Sequence, residues 1–231
     1  MPLTHQHRRR IMGARSPFLN GLVAYWPLDS VNDSGPNGLA LTNNNSVTFV
    51  SGLGGRNCAS FASASGQTLS RASSSTLTTP EAGDYTWSYW FNSTSNGSNN
   101  FLISKAAFDV VANRGFNWGL IHNAGSPQIV TNIYNTVPTV FAPANTSMSY
   151  GTWYHVAMQH IVSSKTIRRK INNGSWVSAT YTGTYQTNTV QLLFTGNGNM
   201  QDVGFWGRQL TDDEIAQLYN GGVPVTYPTF R

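Results

Sequence analysis

DYTWSYWFN (Asp84–Asn92) alternates without a break: Tyr85, Trp87, Tyr89 and Phe91 fall on one side, Thr86, Ser88 and Trp90 on the other. Successive side chains of a β-strand point to opposite faces, so a period of two predicts a strand with one wholly aromatic face. GLVAYWPLD (Gly21–Asp29) repeats the pattern, with Leu22, Ala24, Trp26 and Leu28 set against Val23 and Tyr25. Pro27 interrupts it, because proline has no N–H for a ladder and is confined to edges and strand ends. Working outward, STSNGSNN reads as a hairpin loop and FLISK (Phe101–Lys105) as its returning strand, while DSGPNG (Asp33–Gly38) is a turn cluster. Further strands are expected over 115–122, 128–134, 153–162, 166–171 and 189–194. Turn signals at such spacings point to a sandwich or barrel.

The composition agrees. Of 231 residues, only 10% are charged and 39% are hydrophobic, with 22 glycines and 10 prolines, and Ser, Thr and Asn fill the polar positions. That mixture favours short strands and polar loops over helices, and the length suffices for one substantial core. No apolar run approaches the roughly 20 residues needed to span a bilayer. The start is basic but lacks the apolar stretch of a secretory signal, so none is expected. Cys58 is the only cysteine, which excludes an internal disulfide framework and is read as a small buried hydrophobe.

The net charge of +5 is concentrated in one place. Arg8, Arg9, Arg10 and Arg15 lie in the first 15 residues, which hold no acid; without them ten basic residues face nine acidic ones. The body is close to neutral, so nucleic acid is not expected as its partner. Residues 1–18 are read as a basic arm that meets an acidic protein surface, with Phe18 as an apolar anchor, and residues 19–231 as one domain.

One helix is predicted, in LTDDEIAQLYNGG (Leu210–Gly222). Thr211 is an N-cap with Glu214 three residues on, a capping box. Leu210 and Ile215 take the staple positions, Ile215, Leu218 and Tyr219 form one apolar stripe, and Gly221 is the stop signal.

GLVAYWPLD with DSGPNG, YTWSYWF, GTWYHVAM followed by KINNGSW, and MQDVGFWGRQLTDDEIAQLYNGG come in an order that resembles the laminin G-like, concanavalin A-like jelly rolls. The resemblance runs from Gly21 to Gly222. It implies an all-β, two-sheet antiparallel jelly-roll sandwich with one short C-terminal helix, here preceded by an extended arm, whose first and last strands pair near an edge. Pro27 then ends a strand where its missing N–H costs little. TIRRKINNG departs from the pattern: Ile167, Arg169 and Ile171 share a face, and an unpartnered buried arginine would be very costly. Either the strand slips by one residue and presents a basic outer face, or Arg169 is paired.

Glycoside hydrolases share this sandwich, and their chemistry needs two carboxyl groups roughly 5–10 Å apart. None of the nine acids forms an alternating pair within a strand, Glu81 is read into a Pro-Glu-Ala-Gly turn, and no nucleophile elbow occurs. His155 and His160 are five apart in one strand, hence on opposite faces, and His155 is read as structural. The chain is therefore expected not to be an enzyme.

If the first and last strands pair as the resemblance implies, Asp29 meets Asp202, a possible rim site for structural calcium through hard oxygen ligands. Trp118, Tyr134 and Trp176, nearest the loops, are the candidate platforms for a cell-surface glycan. Together these features suggest a structural or adhesion protein of a virus particle, such as a tailed-phage capsid decoration or tail protein. Its arm would bind the major capsid or tail protein, and a homotrimer is the favoured assembly. The alternative is a free carbohydrate-binding, lectin-like module, cytoplasmic or exported without a recognisable signal.

Overall fold

The computed structural model describes residues 16–94, 100–105, 116–123, 126–134, 140–141, 146–185, 187 and 190–225. In chain order the strands begin β1 (Leu22–Trp26), β2 (Thr42–Asn44), β3 (Thr48–Ser51), β4 (Asn57–Phe61) and β5 (Thr68–Arg71). Helix α1 (Ser75–Glu81) precedes β6 (Tyr85–Ser93), β7 (Asn100–Lys105), β8 (Phe116–Asn123), β9 (Ser126–Tyr134), β10 (Val140–Phe141) and β11 (Thr146–Ser147). Then come β12 (Trp153–Ile161), β13 (Thr166–Ile171), β14 (Val177–Thr180), β15 (Leu192–Phe194), β16 (Gly198–Trp206) and helix α2 (Asp212–Tyr219).

These strands form two antiparallel sheets. The first runs β14-β13-β12-β6-β16-β4-β3 with β1 also on β16, and the second runs β10-β9-β8-β7-β15-β5-β2 with β11 on β9. The protein is thus an all-β, two-sheet jelly-roll sandwich with a short C-terminal helix. The aromatic face of β6 lies in the main core with side chains of the opposite sheet, among them Ile103, Phe116 and Phe194. Trp26 stacks on Trp87 at 6.1 Å and Trp87 on Phe205 at 4.4 Å, while Trp26 meets Phe194 of the second sheet edge-on at 5.3 Å. Offset and edge contacts of this kind let large rings fill the space between two sheets densely.

The outer face of the first sheet is buried too. Phe18, Leu22, Tyr25, Ala157, Trp206, Leu210, Ile215 and Leu218 form a second cluster beneath α2 and the 3-10 turn Pro17–Leu19. The capping box of α2 is present in both directions, and Tyr219 stacks on Trp90 at 5.9 Å. The left-handed C-cap is Asn220, one residue before the expected Gly221, which is left-handed as well.

β1 and β16 pair, with Trp26 opposite Val203, and the Pro27 carbonyl accepts the Asp202 N–H at 3.1 Å. Pro27 therefore closes an edge strand by its oxygen, as its chemistry allows. The alternation of β1 is only partly as expected: a bulge between Leu22 and Ala24 turns Leu22 to the outer cluster and puts both Val23 and Ala24 on the main core. Phe18 also differs from expectation. It is buried beneath α2, with its carbonyl accepting Trp206 Nε1 at 2.8 Å, so it anchors the chain to its own sandwich. Arg8, Arg9, Arg10 and Arg15 lie outside the described residues.

Helix α1 was not expected from the sequence. Pro80 sits in its last turn, and Glu81, read as a turn residue, is its buried C-terminal residue.

Candidate functional site

β13 holds three consecutive cations, and strand alternation separates them. Ile167 and Arg169 point into the sandwich, whereas Arg168 and Lys170 point out. No register slip occurs: Met158, Arg169 and Val177 lie opposite one another across β12, β13 and β14. Of the two expected alternatives the slip is thus overturned and the paired arginine holds, with Arg169 1% exposed. The hydroxyls of Thr131 and Thr146 accept its Nη1 and Nη2 at 3.1 and 3.0 Å. Burial pulls its ordinarily very high pKa down to about 10, which leaves it charged at neutral pH.

Outside, Trp176 carries the Arg168 guanidinium 4.2 Å and the Lys170 ammonium 5.0 Å from its ring centroid. Asp212 Oδ1 accepts from Trp176 Nε1 at 2.8 Å and from Lys170 Nζ at 3.0 Å, and these bonds hold its carboxyl below the usual range. Arg168 donates Nε and Nη2 to Gln159 Oε1. Trp176 is therefore a strut between the β13–β14 hairpin and α2, with its N–H committed and its ring against cations.

At the other end of that hairpin lies a pocket of about 160 Å3, walled by Tyr181, Tyr185, His160 and Val162 with Lys165 and Thr184 at its mouth. Three segments converge here: the β12–β13 turn, the α1–β6 connection and residues 181–185. Thr184 and Lys165 are exposed, Tyr181 and His160 buried. His160 Nδ1 lies 3.1 Å from the Gly83 carbonyl, which can only accept, so Nδ1 carries the proton. Nε2 then accepts the Tyr181 hydroxyl at 2.7 Å. Burial lowers the His160 pKa, in keeping with a neutral ring. Tyr185 lies 4.7 Å from His160 and 6.3 Å from Tyr85, which continues an aromatic wall into the core.

Behind this wall, Lys105 Nζ donates to Glu81 Oε2 at 2.7 Å with both side chains at most 2% exposed. Burial raises the Glu81 carboxyl to about 7, against the pull of Lys105. Neighbouring Asp84 is fully used: Oδ1 accepts from Val162 N and Oδ2 from Gln209 Nε2. Sequence reasoning missed both the pocket and the ion pair, because 105 and 81, and 160 and 185, meet only through long-range topology. The Tyr181–Tyr185 pair, flanking an exposed Thr-Gly-Thr, was the available local signal.

The remaining candidates are dispersed. Asp202 and Asp29 are not brought into a joint cluster. Asp29 is exposed, with Ser30 Oγ donating to it, whereas Asp202 receives Tyr25 OH at 2.5 Å, both Nη groups of Arg56, and Gln201 Nε2. Among the described residues no group of three or more His, Cys, Asp or Glu could hold a metal ion. The backbones of Trp118 and Tyr134 lie in β8 and β9, and their side chains fall outside the described residues. His155, on the outer face, bonds Ser88 Oγ at 2.8 Å, and burial lowers its pKa to about 3. Cys58 is buried, which raises its thiol to about 11 and leaves it inert as a nucleophile.

No protein-family profile and no curated protein matches the chain by sequence. Solved structures do match in shape. The binding domain of paraclostridial mosquitocidal protein 1 superposes with a TM-score of 0.70 at 16% identity, over 88% of this chain and 52% of that one. The botulinum neurotoxin serotype C1 binding domain gives 0.69 at 13%, over 88% and 52%. A type C botulinum neurotoxin, which depends upon interaction with two ganglioside molecules to enter cells, gives 0.66 at 13%, over 90% and 52%. At such identities the likeness is one of fold, and this chain spans about half the length of each of those binding domains.

Proposed function

We propose that the protein is a non-catalytic carbohydrate-binding module that takes a terminal sugar of a cell-surface glycan in the Tyr181–Tyr185 pocket. The observation that carries this reading is the pocket's chemistry: aromatic rings to lie against a sugar's C–H face, with the Thr184 hydroxyl and Lys165 ammonium at the rim. Its volume of about 160 Å3 lies below the roughly 300–1,000 Å3 of drug-sized sites, which suits one sugar ring better than a chain. The shared fold with toxin binding domains, one of them linked to gangliosides, supports a recognition role. The non-catalytic reading draws on Glu81 being clamped by Lys105 and on Asp84 having both oxygens engaged, since hydrolysis needs two available carboxyl groups.

Saturation-transfer NMR with neutral and acidic oligosaccharides tests this, using the intact protein and Thr184→Phe. Thr184 is exposed, so phenylalanine should plug the pocket without disturbing the core. Loss of transfer in the variant supports the reading. Equal transfer to both proteins overturns it.

A finer reading sets this module on a virus particle of the tailed-phage type, as an adhesion or decoration protein and homotrimer. Four arginines without an acid in the first 15 residues favour it, because such an arm suits an acidic groove on a coat or tail protein. Removing residues 1–15 should leave the sandwich folded and abolish co-sedimentation with particles; full occupancy of the truncated protein would contradict this.

A further inference from the structure

The mouth of the Tyr181–Tyr185 pocket has two chemically distinct sides. Val162 and Ala82 make an exposed apolar side, Lys165 and Thr184 an exposed polar one. Resting on the carbohydrate reading of this pocket, we propose that its ligands are neutral N-acetylated sugars. The acetamido methyl lies against Val162 and Ala82, and the acetamido carbonyl accepts from Lys165 Nζ.

Hydrogen bonds hold both sides in place. His160 Nδ1 on the Gly83 carbonyl and Val162 N on Asp84 Oδ1 tie the end of β12 to the α1–β6 connection, which carries Ala82. The polar side grows from the turn that follows. Lys165 N donates to the Val162 carbonyl at 3.1 Å, and the Lys165 carbonyl accepts from Tyr181 N at 2.9 Å. Residues 162, 165 and 181 are thereby fixed relative to one another, so the two sides face a ligand already arranged, at little cost in ordering.

The apolar side is what the fold itself does not use. Val162 is 40% exposed, one of three large apolar side chains so exposed among the described residues. A single exposed valine on an open surface needs no explanation. Joined to an exposed alanine at the rim of an aromatic pocket, it offers a place to bury a methyl group. An unsubstituted hexose would set a hydroxyl there and strip its water without supplying a partner.

Charge decides that the sugar is neutral. The Asp84 carboxylate stands close enough to act electrostatically on both His160 and Tyr181. It opposes an anion in the pocket and offsets the Lys165 ammonium, while Glu81 behind the wall is matched by Lys105. With neither sign in excess, an acidic or a cationic sugar gains nothing from the local field. Lys165 then acts as a donor with three N–H groups, and a charged donor binds a carbonyl more strongly than a neutral one.

The test is an amide-resolved NMR titration of the intact protein with N-acetylglucosamine, N-acetylgalactosamine, glucose, galactose, glucosamine and N-acetylneuraminic acid. At least one neutral acetamido sugar is expected to shift the Val162, Lys165 and Thr184 resonances and to bind at least about tenfold more tightly than its parent hexose. Val162→Thr keeps the shape of the side chain but removes its apolar surface, and should bring those two affinities together at an unchanged melting temperature. Lys165→Met keeps the stem without the donor, and should weaken the acetamido sugar about tenfold. Parent hexoses that shift the same resonances with equal affinity overturn this inference and leave the carbohydrate reading standing. Equally tight binding of glucosamine or N-acetylneuraminic acid, or an undiminished preference in folded Val162→Thr, also overturns it. If no sugar shifts these resonances, both readings fall.

Discussion

Asp202 adopts a left-handed backbone conformation, φ 52°, at the bulge between Gln201 and Gly204 that interrupts the β16–β6 register. A non-glycine residue holds that conformation only where its surroundings over-determine it. Here they do: its N–H binds Pro27 of the first strand, and its carboxylate takes Arg56 from the segment before β4 and Tyr25 from β1. One side chain thereby ties the two ends of the domain to its middle. Asp202→Asn leaves Arg56 half-buried beside a neutral amide, and removing one member of a buried pair costs about 3–5 kcal/mol. Urea unfolding should show a correspondingly lower midpoint with an unchanged slope. Because both carboxylate oxygens are committed, millimolar calcium is expected to leave the wild-type melting curve where chelator leaves it.

His155 adds a pH dependence whose sign follows from its folded pKa of about 3 against the ordinary value near 6.5. Between those values the unfolded chain holds a proton that the folded chain excludes, so stability falls as pH is lowered through this window. The slope attributable to this residue is at most about 1.4 kcal/mol per pH unit. Glu81, raised to about 7, acts in the opposite sense: stability declines as pH rises from about 4.5 to 7, where only the folded state retains the proton. Denaturant midpoints measured from pH 7 to 4 should therefore fall less steeply in His155→Gln than in the wild type.

At the scale of elements, the C-terminal helix was almost fully legible. Its capping box is a local contact between residues three apart, and the stripe of Ile215 and Leu218 needs only a sheet to cover. Thr211→Ala should cost about 1 kcal/mol, read as a lower thermal midpoint. Glu214 would then retain its fork with Arg208, whose Nε and Nη2 also bind the Asn20 and Pro17 carbonyls. β13 was legible in its bounds and left open in its register. Alternation placed Arg169 on the inner face, yet the expected cost of burying it argued for either a slip or a partner. What resolves the conflict is Thr131 and Thr146, hydroxyls that sequence cannot bring near residue 169. Helix α1 escaped notice for a simpler reason: STLTTPE has low helix propensity, carries a proline in its last turn, and is held by burial of Leu77 and Glu81.

For the whole molecule, the two-sheet sandwich was legible because the aromatic alternation of β6 demands that one face be buried, and the pairing of the first and last strands followed from the resemblance. The site was far less so. Trp176, singled out for its place beside a loop, is a strut to α2, while the Tyr181–Tyr185 pocket arises where segments distant in sequence converge. Composition reports which residues are available, and only the fold decides which of them share a cavity. We propose a sandwich that binds a sugar in the Tyr181–Tyr185 pocket. The most direct test is binding of the intact protein to a glycan array beside Thr184→Phe at matched folded concentration. Retention of selected glycans by the wild type and their loss in the variant is the expected result. Binding to no glycan, or the same binding by both proteins, would contradict it.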